Sequence, residues 1–586
     1  GFCLACHDTP VPQARERNKL IGLSGEGRSS ATTTLVTAML DALNASHSGV
    51  DEEKRKALAF TDNRQDAALQ AGHFNDSVFV SLLRGAILRA VLDAGDEGLD
   101  SEDFGRRVQK ALGFLPRAEN SLPLWMREPE KDATRDRAGK ALAKVLEYRV
   151  WADQRRGWRY TWPNLAGLGL VRAEFDGLDR LVSDDDRFAS LPAGLHRLSP
   201  DERAVVLRII LEAMLEALAV DTEALEPSEV EVRATRARGL LRAPWAIDEN
   251  EDPRLRATLV LTLPAGRGRR RGDEGALLKA SARSGLARKL NRQSVLGTRL
   301  ATSEFDEVMQ ALLDILEQGG LLNRVKTSDG LDGWQLDATA IRLGPGPAVD
   351  DPEAASNAFF HRLYCDVAEE LAEGIPPLAS YESREHTAQV AQRQRLWRED
   401  RFRYGDDDRK RLEESRAEIV QSGEPTAFLP VLFCSPTMEL GVDISALNAV
   451  YLRNVPPTPA NYAQRAGRAG RSGQAAVITT YCAAQSPHDQ YFFRQRDQMV
   501  AGIVRPPAID LGNEDLVRSH LHAVWLATSG QHLAADIPEV LDLSADGAPL
   551  RRDLAEALAE DGLAVRAEGP MHRVLEAILP FIDPPL

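Results

Sequence analysis

Apolar residues in the second half of the chain fall into three short runs, each bounded by polar or glycine-containing turns. The runs are PVLFC (430–434), NAVYLRNV (448–455) and AAVITTYC (475–482). Apolar runs of this length are typical of buried strands, and a helix-like stretch separates the last two. A fourth run, KALAF (56–60), precedes a polar turn and a helical pattern. An open α/β sheet is therefore predicted.

A helix and a hairpin are predicted between these runs, at positions 304–343. Apolar residues follow helical spacing at Phe305, Val308, Met309, Leu312 and Leu316. A Gly-Gly pair then ends the helix, and two short strands flank TSDGLDG. A helix followed by a hairpin is the winged-helix pattern, a common nucleic-acid-binding module. The alternative is a helix and hairpin that serve only in packing.

The most apolar stretch, AVVLRIILEAMLEALAV (204–220), is not composed like a membrane span. Arg208, Glu212 and Glu216 recur every four residues, which predicts an amphipathic helix. The N-terminus does not resemble a secretory signal, and five scattered cysteines do not form a disulfide framework. We therefore expect a cytoplasmic location and no membrane partner.

Acidic residues outnumber basic ones by 88 to 72, so the formal net charge is −16. Any nucleic-acid surface must therefore be a confined basic region. Residues 267–299 contain ten Lys or Arg against two acids, including Arg269, Arg270 and Arg271. We interpret this segment as a strip that contacts phosphates and whose binding weakens with salt. The alternative is a solvated loop.

The stretch IGLSGEGRSS (21–30) is similar to a phosphate-binding loop. Gly22 and Gly27-Arg28-Ser29 fit G-x4-G-K-[ST] except that arginine replaces lysine. A working loop needs a strand leading into its glycines and a lysine as a compact charge at the phosphates. The residues before Gly22 are polar. The stretch is therefore predicted to be a turn whose hydroxyl residues cap the next helix.

The N-terminal CLACH contains Cys3 and Cys6. The same pattern attaches c-type haem, but haem attachment requires export. Two cysteines at this spacing form half of a zinc knuckle, whose other half would lie upstream of Gly1. Zinc bound by Cys3 and Cys6 is the prediction, and an unliganded cysteine pair is the alternative.

The segment QRAGRAGR (464–471) places two arginines three residues apart among small residues. Small neighbours let the backbone approach a ligand, and paired guanidinium groups suit a polyphosphate. Residues 429–482 resemble the second RecA-like domain of superfamily 2 helicases of the DEAD/DEAH type. Motif VI of that family, Q-x-x-G-R-x-x-R, is matched by Gln464, Gly467, Arg468 and Arg471.

Other motifs of the family occur in the expected order. SPTMELGVDI resembles motif V, with Gly441 and Asp443 at its glycine and aspartate and Ser435 at its threonine. KALAFTDNRQDAAL (56–69) resembles motif IV, and EHTAQVAQRQRLWREDRF (385–402) resembles the next strand end and helix. By this resemblance, Ser435 and the motif IV residues Asn63, Arg64 and Gln65 lie on the nucleic-acid path.

The resemblance also implies a shared nucleotide site. In this family ATP and Mg²⁺ lie between two RecA-like domains, and arginines of the second domain neutralise charge on the transferring phosphoryl group. Arg468 and Arg471 would then reach the phosphates, Gln464 would orient water or the arginines, and Asp443 would link nucleotide state to the domain interface. The two motif glycines, Gly441 and Gly467, would line the ATP site.

The first half of such a motor is missing from these residues. Neither a true phosphate loop nor a D-E-x-[HD] box occurs in the 586 residues, so we expect no ATP hydrolysis from them alone. The first RecA-like domain is expected upstream in a longer protein, since the chain begins with Gly1, or in a partner chain. Thr61 and Ser435 are 374 positions apart, which predicts a large insertion between motifs IV and V.

Five parts are predicted: a zinc-knuckle remnant and linker at 1–19, RecA-like segments at 20–79 and 377–505, a mostly helical insertion with a winged-helix-like module at 80–376, and a helical region at 506–586. The fold class is thus an α/β RecA-like parallel sheet with helices on both faces. The motif order resembles large bacterial helicases with a cysteine-rich C-terminal domain, including repair helicases and those of the DISARM and Druantia phage-defence systems. The resemblance implies an ATP-dependent helicase or translocase on single-stranded or duplex DNA, with other defence subunits as partners.

Two other hypotheses stay open. One is a nucleic-acid-binding or scaffold subunit that keeps the fold without the motor. The other, which is weaker, is an independent ATPase that uses residues 22–29. The intact motif VI favours the helicase.

Overall fold

The structure, a computed structural model, describes residues 19–45, 48–155, 162–189, 191, 195–249, 251, 253–261, 277–291, 300–327, 330–347, 357–435, 447–470, 475–502 and 512–581. The chain divides into two compact units, residues 1–501 and residues 502–586.

The described helices of the first unit are α1 (Lys19–Asn44), α2 (Arg64–Ala94), α3 (Phe104–Ala111), α4 (Leu122–Trp125), α5 (Asp132–Gln154), α6 (Leu178–Val182), α7 (Asp185–Phe188), α8 (Pro200–Glu216), α9 (Pro227–Leu240), α10 (Gly285–Leu290), α11 (Thr302–Gln318), α12 (Ala358–Glu373), α13 (Gln392–Arg403), α14 (Asp406–Glu414), α15 (Arg416–Gln421), α16 (Pro459–Ala466), α17 (Pro487–Arg494) and α18 (Arg496–Val500). Its described strands are β1 (Ala57–Phe60), β2 (Leu99–Asp100), β3 (Val171–Phe175), β4 (Val220–Asp221), β5 (Thr258–Val260), β6 (Leu277–Lys279), β7 (Leu322–Lys326), β8 (Asp332–Asp337), β9 (Ile341–Pro345), β10 (Ser383–His386), β11 (Val431–Cys434), β12 (Ala449–Leu452) and β13 (Val477–Thr480).

The main sheet has five strands in the order β10-β11-β1-β12-β13, and every neighbouring pair is parallel. Parallel neighbours need crossover connections, and helices provide them. Helices α13 to α15 connect β10 to β11, and α16 lies between β12 and β13. The predicted α/β sheet of the RecA-like type is confirmed.

Helices cover both faces of this sheet. Alternate strand residues lie in one hydrophobic core with Val36 of α1 and Phe74 of α2. The intervening strand residues lie in a second core with Phe402 of α13 and Tyr462 of α16. Strands buried on both faces have nearly continuous apolar sequences, which is why the short runs identified them.

An ion cluster is buried beside the amino ends of β10 and β11. Arg401 is fully buried, and its guanidinium lies 2.7 Å from the Glu382 carboxylate and 3.3 Å from that of Glu424. Arg242, from the segment between β1 and β10, reaches Glu382 at 2.8 Å. Burial alone would raise the pKa of Glu382, but Arg401, Arg384 and Arg242 hold it well below its usual value. The cluster therefore ties that segment to the sheet.

The segment between β1 and β10 is anchored by two helices. Helix α2 continues without a break through the predicted boundary at residues 79 and 80, and α12 packs against it. Two smaller sheets follow the orders β2-β9-β3 and β4-β8-β5-β6, with β7 paired to β8. The predicted domain limits stay predictions.

The predicted helix and hairpin at 304–343 are present as α11, β7 and β8. The five apolar residues of the helical pattern are each at most 2% exposed. Strands β7 and β8 are antiparallel, but β8 also pairs with β4 and β5. The hairpin therefore belongs to a larger sheet instead of standing free as a wing, and its role in nucleic-acid binding stays a prediction.

The turn predicted for residues 21–30 is wrong. Helix α1 begins at Lys19 and runs through the glycines of IGLSGEGRSS. Beyond the first turn of a helix, each backbone N–H bonds a carbonyl four residues earlier, so it cannot cradle a phosphate. Each glycine costs a helix about 1 kcal/mol, and the fully buried Val36 and Leu40 further along α1 offset that cost. The segment forms neither a phosphate loop nor a helix cap.

The second unit contains α19 (Glu514–Ser529), α20 (Ile537–Val540), α21 (Arg552–Leu558) and α22 (Leu563–Ile578). Helices α19 and α22 pack together, and Leu563 and Ala567 of α22 are fully buried. Throughout the described part of the chain, no helix has the length and apolar character needed to cross a bilayer.

Gly105 provides a test of the packing of α3 on α5. A Cβ added at Gly105 would lie 2.0 Å from the Ala143 carbonyl oxygen, a backbone atom that cannot rotate away. We expect Gly105→Ala to lower the free energy of unfolding by about 1–3 kcal/mol. At Gly72 in α2 an added Cβ has nothing within 4 Å, so Gly72→Ala should stabilise by up to about 1 kcal/mol. Chemical denaturation compares the free energies of unfolding of the two variants, and equal changes would contradict this packing.

Candidate nucleotide and nucleic-acid site

Polar residues follow the strands of the main sheet where their carboxyl ends meet, and we call this border the carboxyl edge. Thr61 follows β1, Ser435 follows β11 and Arg453 follows β12. The N–H and the hydroxyl of Thr61 both donate to the Cys434 carbonyl, at 2.9 and 3.3 Å, and the Arg453 N–H donates to the Phe60 carbonyl at 3.0 Å. Open α/β sheets bind their ligands at this border.

Motif VI lies on α16 and the turn that follows it. Gln464 in the last helical turn is exposed, Gly467 ends the helix, and Arg468 is half-buried. The N–H of Gly470 donates to the Leu447 carbonyl at 3.0 Å, which anchors this turn beside β12. The structure therefore brings Gln464, Gly467 and Arg468 together on a short, fixed segment.

Motif IV forms the turn between β1 and α2. Asn63 caps α2, because its Oδ1 accepts from the Asp66 N–H at 2.8 Å and its Nδ2 donates to the Asp66 carboxylate at 3.2 Å. Arg64 and Gln65 are exposed in the first helical turn. Asn63 thus has a structural role, whereas the other two side chains are open to solvent.

The sequence patterns missed two arginines of the carboxyl edge, Arg453 and Arg465. The Arg453 guanidinium lies 2.9 Å from the Asp66 carboxylate and donates to the Ser29 hydroxyl at 3.4 Å. Arg465 is 2% exposed, and its guanidinium lies 5.7 Å from the centroid of the Phe60 ring. A signal for Arg453 was present, since it is the charged residue within the apolar run 448–455 and directly follows the residues that form β12, where ligand-binding side chains of such sheets lie.

Arg468 places positive charge near the end of β11. Burial is the main cause that raises the pKa of the Cys434 thiol, and the negative charge of Glu399 raises it further. The positive charge of Arg468 lowers this pKa. Glu399 also bonds His386 Nε2 at the end of β10, at 2.7 Å. Ser435 is only 1% exposed. The side chain is therefore not accessible in this structure, and its predicted contact with nucleic acid stays a prediction.

His73 on α2 provides a pH test of the packing behind this edge. Its Nδ1 lies 2.8 Å from the Thr33 hydroxyl, and its ring packs edge-on against Trp162 with centroids 5.0 Å apart. Burial, and secondly the charge of Arg453, lower its pKa from 6.5 to about 4. Between these pH values the unfolded chain binds a proton that the folded chain does not, so stability is lost as the pH falls from 6.5 to 4. We expect His73→Gln to make this loss shallower in thermal unfolding, and parallel profiles for the two proteins would contradict the assignment.

Several predicted site residues lie outside the described residues, namely Cys3, Cys6, Arg269, Arg270, Arg271, Gly441, Asp443 and Arg471. Within the described ranges, no group of three or more His, Cys, Asp and Glu side chains could hold a metal ion. The predicted zinc half-site, basic strip and motif V contacts therefore stay predictions.

Part of the chain is similar to known proteins. Residues 381–473 match the family model of the helicase conserved C-terminal domain. The chain is also 37% identical over 144 residues to the Druantia protein DruE of Escherichia coli (strain UMEA 4076-1). This alignment covers 25% of the chain but only 7% of the length of that relative. No solved structure matches the chain.

Proposed function

We propose that this chain, whose residues 381–473 match the helicase conserved C-terminal domain, is the second half of an ATP-driven DNA helicase or translocase of superfamily 2. The arrangement at the carboxyl edge supports this proposal. It holds Gln464 in the last turn of α16 and Arg468 on the turn that follows. Both lie beside the main sheet, whose strand β1 leads through the motif IV turn into α2. The similarity to the Druantia protein DruE, together with the resemblance of the motif order to phage-defence helicases, supports a role in phage defence, and DNA repair is the other cellular role that we propose to test.

The residues of motif VI fit one half of a nucleotide site. The half-buried Arg468 is partly desolvated yet reachable, so its guanidinium can donate charge-assisted hydrogen bonds to phosphate oxygens. A Cβ at Gly467 would lie 2.7 Å from the Ala463 carbonyl oxygen, so the tight turn beside Arg468 requires glycine. When bound, ATP with Mg²⁺ supplies the phosphoryl transfer that drives movement. Arg468 and Arg471 are proposed to neutralise the charge that develops on the phosphate oxygens.

The rest of the nucleotide site must come from elsewhere. We propose that a first RecA-like domain, upstream or in another chain, contributes the phosphate loop and the carboxylates for Mg²⁺. The 586 residues alone are then inactive, because no sequence of either type occurs among them. The basic strip at 267–299 and the exposed Arg64 and Gln65 are proposed to contact DNA.

ATP hydrolysis by the complete protein, with its first motor domain present, tests this function. The rate should be measured without DNA, with single-stranded DNA and with duplex DNA, for wild type and Arg471→Ala. We expect DNA to increase the rate and the substitution to abolish that increase. A rate that responds to neither would refute the proposal. DNA binding without hydrolysis would favour the nucleic-acid-binding or scaffold subunit.

A further inference from the structure

Arg28 lies at the carboxyl edge, although its segment is not a phosphate loop. Its Nη1 is 3.9 Å from Oδ2 of Asp62, in the motif IV turn. The next residue, Ser29, accepts a hydrogen bond from Arg453 at 3.4 Å through its hydroxyl and one from Gln70 at 3.1 Å through its carbonyl. These contacts hold this part of α1 between the start of α2 and the end of β12.

The pair formed by Arg28 and Asp62 is weak. Their side chains are 29% and 40% exposed, and 3.9 Å is too long for a hydrogen bond. Burial raises the pKa of Asp62, which means that its carboxylate is poorly stabilised despite the nearby arginine. Exposed pairs of this kind contribute at most about 1 kcal/mol. Arg28 can therefore exchange this carboxylate for another anion at little cost.

The neighbouring carboxylate does not compete for Arg28 in the same way. Asp66 is engaged by Arg453 at 2.9 Å and by the Asn63 side chain. Only Asn63 separates Asp62 from the exposed Arg64, so Arg28 and Arg64 both lie beside the same turn. A phosphate that reaches this turn would meet two guanidinium groups, which bind phosphate through parallel hydrogen bonds.

We propose that Arg28 is a further phosphate-binding residue of the DNA path, and that Asp62 is the carboxylate which a DNA phosphate displaces from it. This inference rests on the proposed function, because it assumes that DNA passes the motif IV turn. It gives the IGLSGEGRSS segment a role in binding the nucleic-acid backbone, not the nucleotide.

The test is DNA binding by the complete protein, measured by fluorescence anisotropy with single-stranded and duplex oligonucleotides over a series of salt concentrations. We expect Arg28→Ala to weaken binding several-fold at low salt. The slope of log K against log salt should become shallower by about 0.7 for single strands and about 0.9 for duplex DNA, the loss of one phosphate contact. Arg28→Lys should keep the slope, and Asp62→Asn should tighten binding because the competing charge is gone.

A matched pair on the opposite border of the sheet provides the control. Arg409 and Glu53 are 3.3 Å apart, with side chains 48% and 46% exposed, and Glu53 precedes β1. Arg409→Ala and Glu53→Gln should change neither the affinity nor the slope. An unfolding midpoint of Arg28→Ala equal to that of wild type shows that the fold is intact.

Three other outcomes would overturn either this inference or the proposed function. Unchanged affinity and slope in Arg28→Ala, while Arg64→Ala weakens binding, would overturn this inference and leave the proposed function standing. A raised KM for ATP with unchanged DNA binding would assign Arg28 to the nucleotide site and also overturn it. Absence of DNA binding by the wild-type protein would refute the proposed function itself.

Discussion

Arg468→Ala is expected to lower kcat for ATP hydrolysis by about 10³–10⁵-fold in the complete protein, the range that an arginine finger contributes to phosphoryl transfer. The side chain is half-buried on the turn that follows α16, and this turn is fixed by the hydrogen bond from the Gly470 N–H to the Leu447 carbonyl. A loss of this size is a loss of charge neutralisation at the phosphates, so KM for DNA should change little. Steady-state hydrolysis at saturating DNA measures kcat, and a DNA titration measures KM for DNA.

Two variants show whether this loss is specific. Arg468→Lys keeps the positive charge but lacks the planar fork, so most of the loss should remain. Arg409→Ala removes an arginine at the opposite border of the sheet and should hydrolyse ATP at the wild-type rate. A kcat of Arg468→Ala within a few-fold of wild type would exclude Arg468 from the nucleotide site.

The largest effect on stability is expected from Arg401→Ala. Arg401 is fully buried, and its removal leaves the Glu382 and Glu424 carboxylates without a cation that they contact at 2.7 and 3.3 Å. Breaking one partner of a buried ion cluster costs about 3–5 kcal/mol. Chemical denaturation of the first unit should show this decrease at neutral pH. The difference between Arg401→Ala and wild type should become smaller in acid. The lowered pKa of Glu382 contributes stability to the wild-type protein, and this stability is lost as the pH falls below 4.5, the usual pKa of a glutamate.

An exposed ion pair in the same unit provides the comparison. Arg106 lies 2.5 Å from the Asp103 carboxylate, but its side chain is 75% exposed. Arg106→Ala should change the free energy of unfolding by less than about 1 kcal/mol. Equal effects of the two substitutions would contradict the structural role of the buried cluster.

Parts of the fold and of the site were predictable because their signals are local. Strands β11, β12 and β13 are apolar runs between turns, and motif VI is contiguous from Gln464 to Arg471. The α11 stripe was equally clear, because every third or fourth residue is apolar and buried. These elements follow from hydrophobic periodicity alone.

Other parts depend on contacts between distant residues. The glycines near Gly25 predicted a turn, but packing of α1 on the sheet outweighs their low helix propensity. Strand β2 pairs Leu99 with Leu343, a partner that no local pattern indicates. Arg453 acquires its role from Asp66 and Ser29, which lie on two other elements. Tertiary contacts of this kind determine which residues surround motif VI.

Strand displacement from a DNA triplex tests the central claim most directly, because it reports movement along DNA. The complete protein should displace the third strand when ATP is present, and Arg468→Ala should not. Displacement without ATP, or equal displacement by wild type and Arg468→Ala, would contradict the assignment of this chain as the second half of an ATP-driven DNA motor.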